Sequence, residues 1–275
     1  MSRKENRFMP WSVFLQDERL PLPGEKIGRL VQQVVGGVVY DHTQQVNIHH
    51  GRVARGLEEG QADALVELLR SSDLPALKKD EERLVRAEKR FRAHRALLLE
   101  DALHFPIGLT GELKAAPWSS VLVVSIGSVV FRDRKEVRAT RGNANIGLGI
   151  GLKIAASVAT GIPIRMFPRR VKLQRASFKE VIEEAILVHI IFDRPPFVVE
   201  IRPKGFDYGY LGPRLATTSR ENLVTFLEDL VRLAASAHWT LMSRTFLETG
   251  KLAPDFKDDK DFLRFSQWIA EVASA

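Results

Sequence analysis

A few stretches of this chain hold residue types that could do chemistry. Gly147, Gly149 and Gly151 would let backbone amides approach a pyrophosphate closely. Their spacing is G-x-G-x-G rather than G-x-G-x-x-G, and Lys153 follows Leu152 without the Gly-Lys-Ser/Thr order of a Walker loop, so no nucleotide site is read here. His49 and His50 are adjacent and point apart in any regular element. No Asp, Glu or further His stands around them at metal-ligand spacing, and surface or capping roles are expected. Asp255, Asp258, Asp259 and Asp261 lack the glycine and terminal glutamate of a calcium loop and fit the positive first turn of a helix instead.

His94, His104, His189 and His238 fall in apolar runs, where a neutral imidazole bound to a backbone group is usual. The chain has no cysteine and no Gly-x-Ser-x-Gly, and Ser125 and Ser128 lie in a β-branched run. These residues nominate no catalytic group, no metal and no cofactor, so a non-enzymatic role is expected.

Charge gives the stronger signal. The formal net charge is +7, and between Arg132 and Arg175 eleven Lys or Arg face only Asp133 and Glu136, so the rest of the chain is slightly acidic. Arg132, Arg134, Arg138, Arg141, Lys153, Arg165, Arg169, Arg170 and Lys172 are the candidate binding residues. Clustered cations of this kind attract nucleic acid or an anionic membrane surface in a salt-dependent way; a solvated loop is the plain alternative. Ile146 to Ile164 is long enough to resemble a membrane span, but Lys153 and the Gly/Ala content argue against spanning. Leu148, Leu152 and Ala156, with Arg165, Arg169 and Arg170 behind them, could lie on a membrane; a packed crossover is the preferred reading.

The elements that must position these residues follow from periodicity. The 275 residues suit two compact units, and 45% hydrophobic with 27% charged residues is an ordinary globular balance. Residues 1–25, with Pro10, Pro21, Pro23 and Gly24, read as a flexible N-terminal arm on which Trp11 and Phe14 could dock. Ile27, Leu30, Val31, Val34, Val35 and Val38 predict a helix. A strand over 51–57, a helix over 59–70 and an extended segment from Pro75 complete a split βαβ sandwich over 26–82. Short strands follow at Val85, Ala96, Ala102 and Leu113, and Val121 to Val130 reads as a strand buried on both faces, with a bulge at Gly127. Asp193-Arg-Pro-Pro predicts a hairpin between 185–192 and 197–201. Ser219 is expected to cap a helix with Leu223, Phe226, Leu227, Leu230 and Leu233 on one face. A terminal helix from about Asp259 is expected within a C-terminal extension, 238–275. Phe206, Tyr208 and Tyr210 alternate as on one face of a strand, and core packing is the preferred account of them.

Two resemblances sharpen this α+β reading. Gly51-Arg-Val-Ala-Arg-Gly-Leu-Glu-Glu-Gly-Gln-Ala-Asp-Ala-Leu-Val-Glu-Leu-Leu resembles the strand-then-helix half of the ribosomal stalk protein's C-terminal domain and of the Clp protease adaptor. Residues 83–237 resemble, in element order and in Ala115-Ala-Pro-Trp-Ser and Gly205-Phe-Asp-Tyr-Gly-Tyr-Leu-Gly, a pleckstrin-homology-like barrel closed by an amphipathic helix, with 132–175 as a basic, glycine-rich insertion. The resemblances imply a non-enzymatic interaction or adaptor module that receives a protein or peptide partner, by strand addition for instance. The alternative is an anionic-surface binder working through 132–175. The cysteine-free composition and the absence of a signal-like apolar run in 1–25 lead to the expectation of a cytoplasmic protein.

Overall fold

Apolar side chains recur along both halves of the chain, and their burial decides where each element packs. The computed structural model describes residues 10–108, 111–137, 177–252 and 255–275, with only the backbone of 132–137, 177–182 and Asp255. The architecture is mixed α+β, with several sheets.

The N-terminal part runs β1 (Trp11–Leu15), α1 (Gly24–Val35), α2 (Val39–His49), β2 (Arg52–Leu57), α3 (Glu59–Arg70) and β3 (Ala76–Asp80). Its sheet order is β2-β1-β3, with β1 antiparallel to both neighbours. The parallel strands β2 and β3, joined through α3, are therefore split by β1, as a split βαβ unit requires. The strand that fills the split comes from the segment read as a flexible arm, so that expectation is corrected over 11–15. Val13, Phe14 and Leu15 are all buried, which removes the alternation that would have marked a strand. The helix predicted through Val38 ends at Val35 because Gly36 and Gly37 turn the chain at φ 80° and 83°. Val38 is left exposed, and α2 follows with only Val46 buried, a pattern too weak to announce a helix.

The larger sheet has the order β11-β8-β9-β10-β4, with β12 also paired to β8. Its strands are β4 (Lys89–Ala93), β8 (Val121–Val137), β9 (Ser177–Asp193), β10 (Pro196–Ile201), β11 (His238–Trp239) and β12 (Asp255–Phe256). Side chains alternate between two buried clusters. Leu187, Ile191 and Val198 join one cluster with the N-terminal sandwich and α6 (Asp259–Ala273). Val188, Ile190, Phe192, Val199 and Ile201 join the other, with α4 (Ser219–Leu233), α5 (Leu241–Thr249) and the meander β5 (Leu97–Leu98), β6 (Ala102–Ile107), β7 (Glu112–Pro117). This two-sided burial is what the continuous apolar run of β8 requires. Gly127 on β8 marks a close approach: a Cβ there would lie 2.6 Å from the Phe262 ring.

Several expectations change. Among the described residues none of the sheets closes into a barrel; the large one is open, edged by β4 and β11. The boundary expected at 82/83 falls inside one buried cluster, since Leu65, Val123 and Phe262 share it, and α6 belongs to that same core. The chain instead divides into 1–131 with 184–275, and 132–183. Thr218, not Ser219, caps α4, in a capping box with Glu221. Val85 lies outside any strand, and β4 starts at Lys89. Phe206 and Tyr208 are core residues as expected, but none of the three aromatics lies on a strand, and Tyr210 sits on a 3-10 helix, Gly209–Arg214. The hairpin of β9 and β10 and the start of α6 match the sequence reading. Among the described residues no helix is long and apolar enough to cross a membrane.

Candidate anion-binding cleft

Arg52 and Arg55 stand three residues apart on β2, so a regular pleat would send them to opposite faces. The pairing of β1 with β2 slips twice, from Phe14↔Arg52 to Val13↔Ala54 and on to Trp11↔Leu57, and each slip adds one residue on the β2 side. Arg52 thus stands opposite Phe14, and Arg55 lies where Ser12 would find a partner. Both arginines come to the face of Ser12 and Phe14. These four residues line a cleft of about 420 Å³, together with His49 at the end of α2, Arg86 and Glu88 after β3, and Arg264 and Trp268 on α6. That volume lies in the range of small-ligand sites.

One wall is fixed by α6. Trp268 donates its indole N–H to the Leu15 carbonyl at 2.8 Å. Gly51 abuts the ring so closely that a Cβ there would stand 1.8 Å from it, so only glycine fits where β2 begins. Lys79 reaches the Glu271 carboxylate at 3.1 Å. Burial raises the pKa of Glu271 above the usual carboxylate value, against the pull of Lys79.

The cations divide into bound and uncommitted groups. Arg264 pairs with Asp261 at 3.1 Å, yet its Nε–H is buried with no acceptor. Arg52, Arg55 and Arg86 form no ion pair with a carboxylate among the described residues. Arg86 donates to the Glu81 carbonyl at 3.1 Å, and Arg52 donates to His49 Nδ1 at 3.2 Å. Arginine has no acceptor, so Nδ1 must accept and the His49 proton sits on Nε2. Burial, reinforced by the charges of Arg52, Arg264 and Arg55, lowers the His49 pKa to about 4, which leaves a neutral imidazole at pH 7. Burial likewise lowers the pKa of Arg52, and Arg55 adds to the effect. Of the carboxylates, Glu81 accepts from the Ser12 hydroxyl at 2.8 Å and the Gly56 amide at 2.7 Å, and Glu88 is exposed. The cleft therefore gathers four guanidinium groups beside Glu81, Glu88 and Glu271, and among the described residues Arg52, Arg55 and Arg86 form no ion pair with any of the three.

His50, the chain neighbour of His49, serves the core. It turns away at φ 53° and donates from Nε2 to the Asp261 carbonyl at 3.1 Å, between the rings of Phe256 and Phe265. The expected surface or capping role is thus corrected for His50, which is buried, and the place of His49 in a cleft was missed. Asp258 caps α6 through the Asp261 amide, so the acidic cluster is a helix start. Among the described residues no group of His, Asp and Glu could hold a metal. Arg132 and Arg134 fall on β8 with their side chains outside the described residues, and Arg138, Arg141, Lys153, Arg165, Arg169, Arg170 and Lys172 lie outside them altogether. The only hint of the cleft in the sequence was the pair Arg52 and Arg55 within the segment quoted for its resemblance. Arg86, Arg264 and Trp268 lie too far along the chain to be joined to that pair by spacing.

No family model matches the chain, and no curated protein or solved structure matches it.

Proposed function

We propose that the chain is a non-enzymatic interaction module that takes up an anionic group of a peptide partner in the arginine-lined cleft. The observation that carries this reading is the set of uncommitted guanidinium groups of Arg52, Arg55 and Arg86 beside a neutral His49. Like charges set close together repel, as the effect of Arg55 on Arg52 illustrates, and an anionic ligand relieves that repulsion. β2, which carries two of the arginines, is an edge strand of its sheet among the described residues, so an extended peptide can add to it while an acidic side chain enters the cleft. The resemblance of this segment to adaptor-type α/β domains supports the same reading by analogy.

Fluorescence anisotropy on the full chain tests it, using labelled nonapeptides with a central Asp, Glu or phosphoserine and a matched set with central Gln. The acidic set should bind preferentially, and Arg52→Glu with Arg55→Glu should abolish the preference while the circular dichroism spectrum stays unchanged. Equal binding of the two sets, or a preference that survives the double charge reversal, would remove the cleft from the function.

The second reading, an anionic-surface binder acting through 132–175, rests on the excess of positive charge in that segment.

A further inference from the structure

We infer that the anionic group received by the cleft is a phosphomonoester on the peptide, an inference that rests on the binding reading above. Among the described residues every cation lining the cleft is an arginine: Arg52, Arg55, Arg86 and Arg264. A guanidinium presents five donors in a planar fork that meets phosphoryl oxygens two at a time, whereas an ammonium acts as a point charge. Arg52 and Arg86 each use one donor on a protein acceptor, His49 Nδ1 and the Glu81 carbonyl. Among the described residues no carboxylate forms an ion pair with Arg52, Arg55 or Arg86, although Glu81 and Glu271 lie in the same cleft, and the Arg264 Nε–H is buried without an acceptor.

A ligand carboxylate brings two oxygens and one charge. A phosphomonoester brings three terminal oxygens and close to two charges at neutral pH. His49 contributes a further neutral donor through Nε2–H without adding charge. A dianion also competes better than a monoanion against the carboxylates already present, because Glu81 and Glu271 are held by partners of their own and only Glu88 stands exposed.

A peptide is the source favoured over a bilayer. Among the described residues none of the exposed large apolar side chains, Tyr40 at 67% and Val38 at 59% among them, lines the cleft. Membrane-surface sites combine cations with apolar side chains that insert, and here the cations stand in a concavity beside an edge strand.

The test uses the full chain and one labelled nonapeptide in three forms, with phosphoserine, glutamate or serine at its centre. Orthophosphate serves as competitor, and phosphatidylserine vesicles are sedimented in parallel. The phosphoserine form should bind about tenfold tighter than the glutamate form, orthophosphate should displace it, and Arg52→Lys with Arg55→Lys should erase the difference while keeping the net charge. Equal affinity of the phosphoserine and glutamate forms would overturn the phosphoryl assignment and leave the peptide-binding reading standing. A tenfold preference that persists in the double Lys variant would also overturn it, because the forks would then not be its source. Vesicle capture sensitive to Arg52→Glu with Arg55→Glu, in the absence of any peptide binding, would overturn the inference and the binding reading together.

Discussion

Glu200 shows how one buried carboxylate can organise cations that the sequence scatters. It is fully buried on β10, with Arg202 Nε at 2.9 Å, Arg92 Nε at 3.0 Å and Arg90 Nη1 at 3.1 Å. Burial alone would raise its pKa, but the His189 ring 3.8 Å away, the hydrogen bond from Arg202 and the charge of Arg90 reverse this and hold it at about 2, against an ordinary 4.5. Burial keeps neighbouring His189 below its usual value. Because the folded pKa of Glu200 lies below the unfolded one, its contribution is complete above pH 4.5 and is lost as pH falls towards 2. Urea titrations across that window should show a fall of about 3 kcal/mol from this group, and Glu200→Gln should flatten the fall, whereas an unchanged pH profile in the variant would exclude the linkage. None of this was legible in the sequence. Glu200 looks like an ordinary polar position at a strand end, and Arg90, Arg92 and Arg202 converge on it only because β4 and β10 pair in parallel with Glu200 opposite Arg92.

At the scale of elements, legibility follows the strength of the apolar period. α3, α4 and α6 were read within a residue or two because each buries a clean stripe, such as Leu223, Phe226, Leu227 and Leu230 on α4. β1 and α2 were not. β1 is five residues long and buried along nearly its whole length, and α2 buries one apolar residue, so neither offers a period to count. Caps are shifted more easily than helices are missed. Thr218 and Ser219 are chemically alike, and Thr218 takes the role because its hydroxyl reaches the Glu221 amide while the Glu221 carboxylate returns to the Thr218 amide. Thr218→Ala should cost about 1 kcal/mol by chemical denaturation while Ser219→Ala costs little, and equal effects of the two would contradict the assignment.

For the whole molecule, the six-stranded sheet is the element both cores share. Its strands send alternate side chains to the cluster holding Trp268 and to the cluster holding Trp118. The unit made of 1–131 and 184–275 should therefore unfold as one body. Single-tryptophan variants keeping Trp118 or Trp268 should report the same urea midpoint, and two separated transitions would show that the clusters melt independently. The sequence announced the α+β class and the two-sided burial of β8, but closure into a barrel depends on long-range pairing of edge strands, which no local period encodes. The same long range governs the cleft. The Trp268 to Leu15 hydrogen bond joins residues 253 positions apart, and the His50 to Asp261 bond joins residues 211 apart. Contacts so distant along the chain cost the most loop entropy to form and slow the search for the native state. The hairpin of β9 and β10 needs only a two-residue loop and can form early. The arginines of β2 acquire their facing wall only when α6 arrives, so the cleft is expected to be among the last features to appear during folding.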